Sequence, residues 1–391
     1  MPQYDVIISG GGMVGASLAC ALSGKGLRIA QVEAVELQTR SAPGYDDRAI
    51  ALAYGTRRIF EGLQLWDSLA AEATPIHHIH VSDRGRFGMV HMDRAEERLP
   101  ALGYVVPARV IGDVLSAAVR QIGELDSYCP ATVTSVSQAD EAINVNISHE
   151  GKTTTLSAAL LVAADGADSP LREQFGISHV ETDYRQTAIV TNITPQLAHN
   201  NIAYERFTDS GPMALLPMTE QRCAVVWTVD SSRVEEIMAL DDAAFLAALQ
   251  ERFGYRLGRL DRVGRRQAWP LRLVQAKESV RERLALIGNA IHTLHPVAGQ
   301  GFNLGARDVA VLAEVLVDAS RVDEVMALDD AGFLAALQER FGYRLGRLDR
   351  VGRRQAWPLR LVQAKESVRE RLALIGNAIH TLHPVAGQGF N

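Results

Sequence analysis

YDVIISGGGMVGASLACAL, residues 4–22, joins an apolar run to Gly10, Gly11, Gly12 and Gly15 and then to a run of small and apolar residues. It reads as a strand, a tight turn and a helix. The spacing Gly10-x-Gly12-x-x-Gly15 permits a left-handed turn, close approach of backbone to a diphosphate, and close packing of helix on strand. Met13 and Val14 open the helix. At such a helix N-terminus the N–H groups lack partners and the dipole is positive, so phosphate charge is stabilised there. A second strand, LRIAQVEA, ends at Glu33, the distance expected for the acid that holds a ribose hydroxyl. Glycine-rich turns also arise for packing alone. A strand before, a helix after and an acid downstream together select nucleotide binding.

The chain around this stretch has 391 residues, enough for two or three domains, and its 47% hydrophobic content supports a substantial core. The 40 basic residues are outnumbered by 46 acidic ones, which gives no reason to expect nucleic acid as a partner. Cys20, Cys129 and Cys223 are odd in number, widely spaced and without a C-x-x-C pair, a pattern of unpaired thiols in a reducing compartment. No apolar run reaches the length of a membrane span, and Met1–Ser9 has no basic leader, so a cytoplasmic protein is expected.

Residues Arg233–Asn303 recur as Arg321–Asn391 at an offset of 88, differing only at Glu235/Asp323, Ile237/Val325 and Ala244/Gly332. Solenoid repeats are short units stacked in threes or more. Here one long block occurs twice, and its pattern of elements is not that of a self-contained fold, so 319–391 is expected to be a tandem duplicate and not a functional domain.

Further along, SAPGYDDRAIALAYGT begins as a loop and becomes helical from about Ile50, with Arg48 at the boundary, where it either forms a surface ion pair or reaches a cofactor. WDSLAAEA is a short helix stopped by Pro75. IHHIHVSD and GMVHMD alternate like strands around a turn at Gly85 and Gly88. Of His77, His78 and His80, only the last two share a strand face, so they read as strand residues and no metal site is expected. Ala108–Ile122 is amphipathic, with Val110, Ile111, Val114 and Leu115 on its core face. ATVTSVS, AINVNIS and KTTTLSA form a meander, and ALLVAADG is a separate, wholly apolar strand ending at Asp165 and Gly166. From about Gln186 the strands TAIVTNI, IAYERFT, PMALLPM and CAVVWTV announce a second, β-rich domain. After a helix with Phe245, Leu246, Leu249 and Phe253, the chain returns through RLALIGNA to GNAIHTLHPVAGQGFNLGARD. There Gly299, Gln300 and Gly301 offer N–H groups at the start of a helix running to about Val317, a terminus suited to negative charge on a cofactor.

GGGMVG with Glu33, DGADSPLR at 165–172 and GNAIHTLHPVAGQGFNLG, in that order and spacing, resemble the three FAD fingerprints of the aromatic flavoprotein monooxygenases, the para-hydroxybenzoate hydroxylase-like group. YDDRAIALAYGT, HVSDRG and ERFTDSGPMALLPM are most similar to the ubiquinone-biosynthesis branch, the 2-polyprenyl-6-methoxyphenol hydroxylase family. The resemblance covers Met1 to about Asp318. It implies an α/β protein, a Rossmann-like FAD-binding domain (GR2-type) with an inserted β-rich substrate domain. The FAD-binding part is expected at 1–75, 101–180 and 275–318, and the substrate part at 76–100 and 181–274.

By the same resemblance, Gly10, Gly12, Met13, Val14 and Gly15 cradle the FAD diphosphate, Glu33 holds the adenosine ribose, and Arg48 and Arg109 lie along the cofactor. Asp165 and Gly166 contact it, as do Gly288, Asn289, Phe302 and Asn303. Gly299, Gln300 and Gly301 face the flavin ring, with Pro296 on the substrate side. The family has Gly-Asp where this chain has Gly288 and Asn289, and an Asn still offers hydrogen bonds. The chemistry implied is reduction of FAD by NAD(P)H as co-substrate, reaction with O2, and transfer of one oxygen to a polyprenyl phenol. The residues near Met213–Met218 are candidate walls for the tail, and peripheral membrane contact or a ubiquinone-biosynthesis complex is expected. The alternatives are an FAD hydroxylase of another aromatic and a non-catalytic relative.

Overall fold

A computed structural model of the chain describes residues 3–35, 45, 47–295, 299–327, 329–332 and 335, and thereafter 362–363, 368–369, 372–373 and 380–381. Met1–Glu314 forms one compact unit and Val315–Asn391 another. In chain order the elements are β1 Tyr4–Ser9, α1 Met13–Leu22, β2 Ile29–Val32, β3 Ala49–Ala53, α2 Tyr54–Gly62, α3 Trp66–Ala70, β4 Thr74–Ile76, β5 His78–Asp83, β6 Met89–Asp93, β7 Gly103–Pro107 and α4 Ala108–Val119. Then follow β8 Leu125–Tyr128, β9 Ala131–Gln138, β10 Ile143–His149, β11 Lys152–Ala163, α5 Pro170–Gln174, β12 His179–Pro195, β13 Ile202–Thr208, β14 Gly211–Pro217 and β15 Cys223–Asp230. The last are α6 Val234–Met238, α7 Asp242–Phe253, β16 Leu260–Val263, β17 Gln267–Ala276, β18 Val280–Arg281, β19 Leu284–Leu286, β20 His292–Thr293 and α8 Gln300–Ala327.

The first sheet is ordered β18-β19-β11-β1-β2-β8, with β10 on β11 and β9 on β10. β1 lies between β2 and β11, parallel to both. Covered on both faces, it is buried at every position but Asp5 and carries Val6, Ile7 and Ile8 at its centre, as suits a central parallel strand. α1 packs its Ala16, Met13 and Cys20 against Val110, Ile111 and Leu115 of α4, joined there by Phe60 and Leu69. This is the α/β, Rossmann-like half of the molecule.

The second sheet is ordered β20-β17-β12-β15-β14-β13-β5-β6, with β16 also on β12. Strand alternation gives it two distinct faces. One carries Tyr204, Met213, Leu215 and Trp227 into a core with Phe245, Leu249 and Phe253 of α7. The other carries Ala203 and Ala224 against Ile76 and Val105, with Ala49 alongside. The three-stranded sheet β3-β7-β4 thus backs onto this second face.

Three sequence expectations are corrected by this arrangement. AIALA, expected to be helical from Ile50, is β3, and the helix starts at Tyr54. Its alanines favour helix intrinsically, but antiparallel pairing of Ala49–Ala53 with Pro107–Gly103 overrides that weak preference. KTTTLSA and ALLVA are one twelve-residue strand, β11. Its first half pairs antiparallel with β10 and its second half parallel with β1, and Ala158 meets both Ile143 and Tyr4. Of the stretch Met213–Met218, expected as a candidate wall for the tail, Met213 is fully buried on the α7 side, whereas Leu216 and Met218 pack in the cluster on the other face and Ala214 points with them.

The first copy of the repeated block contributes β19, which pairs Leu284–Leu286 with Leu161–Ala163 of β11. Asp241 caps α7 by accepting the Ala244 N–H at 2.7 Å, and in the second copy Asp329 accepts the Gly332 N–H at 2.7 Å. The described pairs of the second copy join Val362–Gln363 with His380–Thr381 and Val368–Arg369 with Leu372–Ala373.

Candidate cofactor and active site

The glycines of the first turn serve close approach of three backbones. Gly10 has φ +105°, and a Cβ there would lie 2.3 Å from the Ala164 carbonyl oxygen; a Cβ on Gly15 would lie 2.0 Å from the Gly10 oxygen. Gly12 has no atom within 4 Å of such a Cβ. Two glycines therefore lock β1, α1 and the end of β11 together while the third faces open space. No side chain caps α1 at Gly12, so its first N–H groups are left for an outside acceptor. Glu33 follows β2 and folds back, accepting the Gly11 N–H through Oε2 and the Val35 N–H through Oε1 at 2.8 Å. A carboxylate has about four acceptor positions, so a ribose hydroxyl can still be received.

A cavity of about 370 Å³ is lined by Gly10, Gly12, Glu33, Asp165 and Gly166, which brings the first and second segments to one place. Asp165 accepts the Leu171 N–H at 3.1 Å through Oδ2, while its Oδ1 is buried without a hydrogen-bond partner. Burial pushes its pKa up, against the opposing pull of its hydrogen bonds with Ser169 and the backbone. Arg172, almost fully buried, donates to Ala167 O at 2.8 Å and to Ala290 O at 3.1 Å, tying the second segment to the third.

In the third segment Gly288, with φ +60°, donates its N–H to Asp308 Oδ2 at 2.9 Å. Asp308 also lies 3.8 Å from His292 Nε2, and burial raises its pKa. The sequence reading passed over this acid, although it stands in the quoted GARD. Asn289 is exposed. Val14 is wedged between Gly288 and Gly305, where added Cβ atoms would meet its methyls at 3.1 and 2.8 Å; its side chain joins α1 to α8.

Gly299, at φ +60°, sits against Ala51, whose Cβ would be 3.2 Å from a Cβ at 299. Gln300 and Gly301 open α8, and Gly301 faces open space. Asn303, 1% exposed, accepts from the Ala53 N–H (2.8 Å) and Thr56 Oγ1 (2.7 Å) and donates to Ala51 O (2.9 Å) and Gly299 O (2.7 Å). All four of its hydrogen-bonding positions are occupied by protein, so it braces the turn and leaves nothing for a ligand. Phe302 packs on Phe60 at 6.1 Å between ring centroids. Met13 lies at the edge of the same cluster. Arg109 bonds Asp47 at 3.0 Å and Glu72 at 3.4 Å, Arg48 is exposed at the entry to β3, and Pro296 lies outside the described residues.

The arrangement fits FAD. An uncapped helix terminus beside an open glycine suits a diphosphate, a buried acceptor without a partner suits a hydroxyl donor, and a second open helix start at Gly301 suits an anionic ring. The model of the FAD binding domain family matches residues 3–332. Ubiquinone hydroxylase UbiL of Rhodospirillum rubrum is 40% identical over 318 residues, spanning 81% of this chain and 73% of that protein. The 3-demethoxyubiquinol 3-hydroxylase of Escherichia coli is 30% identical over 326 residues, spanning 83% of this chain and 82% of its own length. Among solved structures, p-nitrophenol 4-monooxygenase PnpA from Pseudomonas putida shares the fold with a TM-score of 0.66 at 21% identity, over 81% of this chain and 80% of that one. Pseudomonas aeruginosa PqsL with 2-aminobenzoylacetate does so at 0.69 and 21%, over 86% and 91%. By its three converging segments and by these matches, the chain belongs to the FAD binding domain family, alongside the ubiquinone hydroxylases it matches.

Proposed function

We propose that the protein is an FAD-dependent, NAD(P)H-consuming monooxygenase that hydroxylates the phenol ring of a polyprenylated ubiquinone precursor. The observation that carries this reading is the convergence of Gly10–Gly15, Asp165–Arg172 and Gly288–Asn303 in one unit, through Ala164 on Gly10, Arg172 on Ala290 and Val14 on Gly288. The ubiquinone hydroxylases among its relatives supply the substrate class.

In this assignment the α1 terminus holds the diphosphate, Glu33 the ribose and Asp165 a hydroxyl of the cofactor. The Gly299–Gly301 turn stands by the ring. FAD, when bound, takes electrons from NAD(P)H and activates O2. The chain positions the cofactor, keeps water from it and holds the phenol against it, with the α8 start supplying dipoles for negative charge. We assign 1–75, 101–180 and 275–318 to cofactor binding and 76–100 and 181–274 to the substrate, and give the second copy no part in the site. A polyprenyl substrate implies peripheral contact with a membrane; no described helix is long and apolar enough to cross one.

The test is direct. Purified protein is expected to be yellow with about one FAD per chain, to oxidise NAD(P)H faster when a prenylated phenol is supplied, and to yield a product heavier by one oxygen. Colourless protein that takes up no added FAD overturns the assignment. FAD-loaded protein that hydroxylates only phenols without a prenyl chain moves it to another aromatic.

A further inference from the structure

On the face of the second sheet that backs onto β3 and β7, one cross-strand row runs over six strands. Val190 faces Val226, Val226 faces Ala214, Ala214 faces Glu205, Glu205 faces Val81, and Val81 faces Val90. The carboxyl is the single polar member. Its neighbours along β13 fix its side: Tyr204 stacks on Phe253 at 5.4 Å and Arg206 donates to Arg252 O at 2.9 Å, both on α7. Glu205 therefore points the opposite way, with Ala203. Ala203 packs in the cluster that contains Val105 and Ala49, and Ala51, two residues on from Ala49, lies against Gly299. The row thus lies on the side of the sheet that adjoins, through β3, Gly299 of the third cofactor segment.

We propose that Glu205 receives the ring hydroxyl of the phenolic substrate, and that Val81, Val90 and Met92 carry the prenyl tail outward to the β6 edge. This rests on the phenol-hydroxylase reading above and adds to it the place and polarity of the substrate. A carboxyl amid valines and alanines is costly for folding unless something uses it. Burial raises the Glu205 pKa to about 7, whereas an ordinary phenol titrates at about 10. The gap between hydroxyl and acceptor is thereby narrowed, which favours transfer within a hydrogen bond. The proton passes from the phenol oxygen to the carboxylate; the O–H electron pair stays on the ring oxygen and enriches the ring, and the proton returns when the product leaves. The tail side is equally specific. Met92 faces Ile79, in the row beside Glu205, and Val90 and Met92 are 58% and 40% exposed, an apolar lane from the carboxyl to the edge strand. The nearest charged group on this face is Asp83, in the next row opposite Phe207 and paired with Arg86 at 3.4 Å. Of the strands packed against the face, β3 and β7 bring only Tyr104, whose ring is turned to Trp66.

The test uses the FAD-loaded full chain and equilibrium binding of phenol and 2-farnesylphenol between pH 6 and 8, without NAD(P)H. Wild-type affinity for both is expected to rise about tenfold across that interval as Glu205 deprotonates. In Glu205→Gln and Glu205→Leu the profile is expected to be flat, with binding at pH 8 weaker by about tenfold or more and FAD content unchanged. Val90→Asp is expected to weaken 2-farnesylphenol about tenfold and leave phenol unaffected. Retention of wild-type affinity and pH step in Glu205→Gln overturns the proposal, as does equal loss of both ligands in Val90→Asp. If FAD-loaded wild type binds neither phenol at any pH, the phenol-hydroxylase reading falls and this proposal with it.

Discussion

Replacing Asn303 by alanine removes a side chain that binds β3, α2 and the Gly299 turn together. It deletes four hydrogen bonds of 2.7 to 2.9 Å in a site 1% exposed. At about 1 kcal/mol net for each, the loss is about 4 kcal/mol. Two considerations bracket it. The Thr56 hydroxyl can rotate to another acceptor and water can enter the vacated volume, which lowers the cost; an Ala53 N–H left buried without a partner raises it. We expect about 3–5 kcal/mol, within the total of about 5–15 kcal/mol that holds a typical domain, so the variant folds but is fragile. Because the Gly299 carbonyl is then unrestrained, FAD affinity should fall as well. Urea unfolding of the FAD-free and FAD-loaded forms gives both quantities, and Thr56→Ala, which removes one bond of the four, should cost about 1 kcal/mol. An Asn303→Ala protein within about 1 kcal/mol of wild type, with unaltered FAD affinity, would show that the brace is dispensable.

Gly15→Ala places a methyl 2.0 Å from the Gly10 oxygen; overpacking of this kind costs about 1–3 kcal/mol or more, and the variant is expected to purify with little flavin, as read from visible absorbance. Glu205→Gln should be more stable than wild type at pH 8 and equal to it near pH 4. The folded-state pKa of Glu205 is about 7 against an ordinary 4.5, so the native state loses stability as pH rises between those values, by about 3 kcal/mol in all, and glutamine does not. Parallel urea curves at the two pH values check this, and a constant difference between the proteins refutes it. A chain ending at residue 327 is expected to bind FAD as the full chain does; loss of flavin from it would give the second copy a role we have not assigned.

The parts of the fold legible in the sequence are those whose cause is local. The strand, glycine turn and helix at 4–22 are specified within nineteen residues, and the α7 start carries its own capping Asp241. β3 was not legible, because the strand state of AIALA is decided by β7 some fifty residues later and by Asn303 some 250 residues away. The same holds for β11, which a pattern reading divides between Ala158 and Ala159 although its two halves differ only in which partner they meet. Asn303 looked like a cofactor ligand because its segment is one; only the count of its hydrogen bonds shows that protein satisfies them all. Glu205 gave no signal, since a lone acid in a strand reads as a solvent-facing residue until the register places it among Ala214, Val81 and Val226.

The seat beside β11 that Leu284–Leu286 occupies has two claimants of identical sequence on one chain. The earlier leaves the ribosome 88 residues ahead of its twin, which at about 5–20 residues per second is a lead of roughly four to eighteen seconds. Strand docking and local collapse finish far sooner than that. Order of synthesis therefore favours the earlier copy during biosynthesis, in addition to the contacts of Gly305 with Val14 and of Asp308 with Gly288 that continue from it, whereas refolding from denaturant releases both at once and offers no such head start. Protein recovered by refolding should accordingly contain a fraction with the later twin in place.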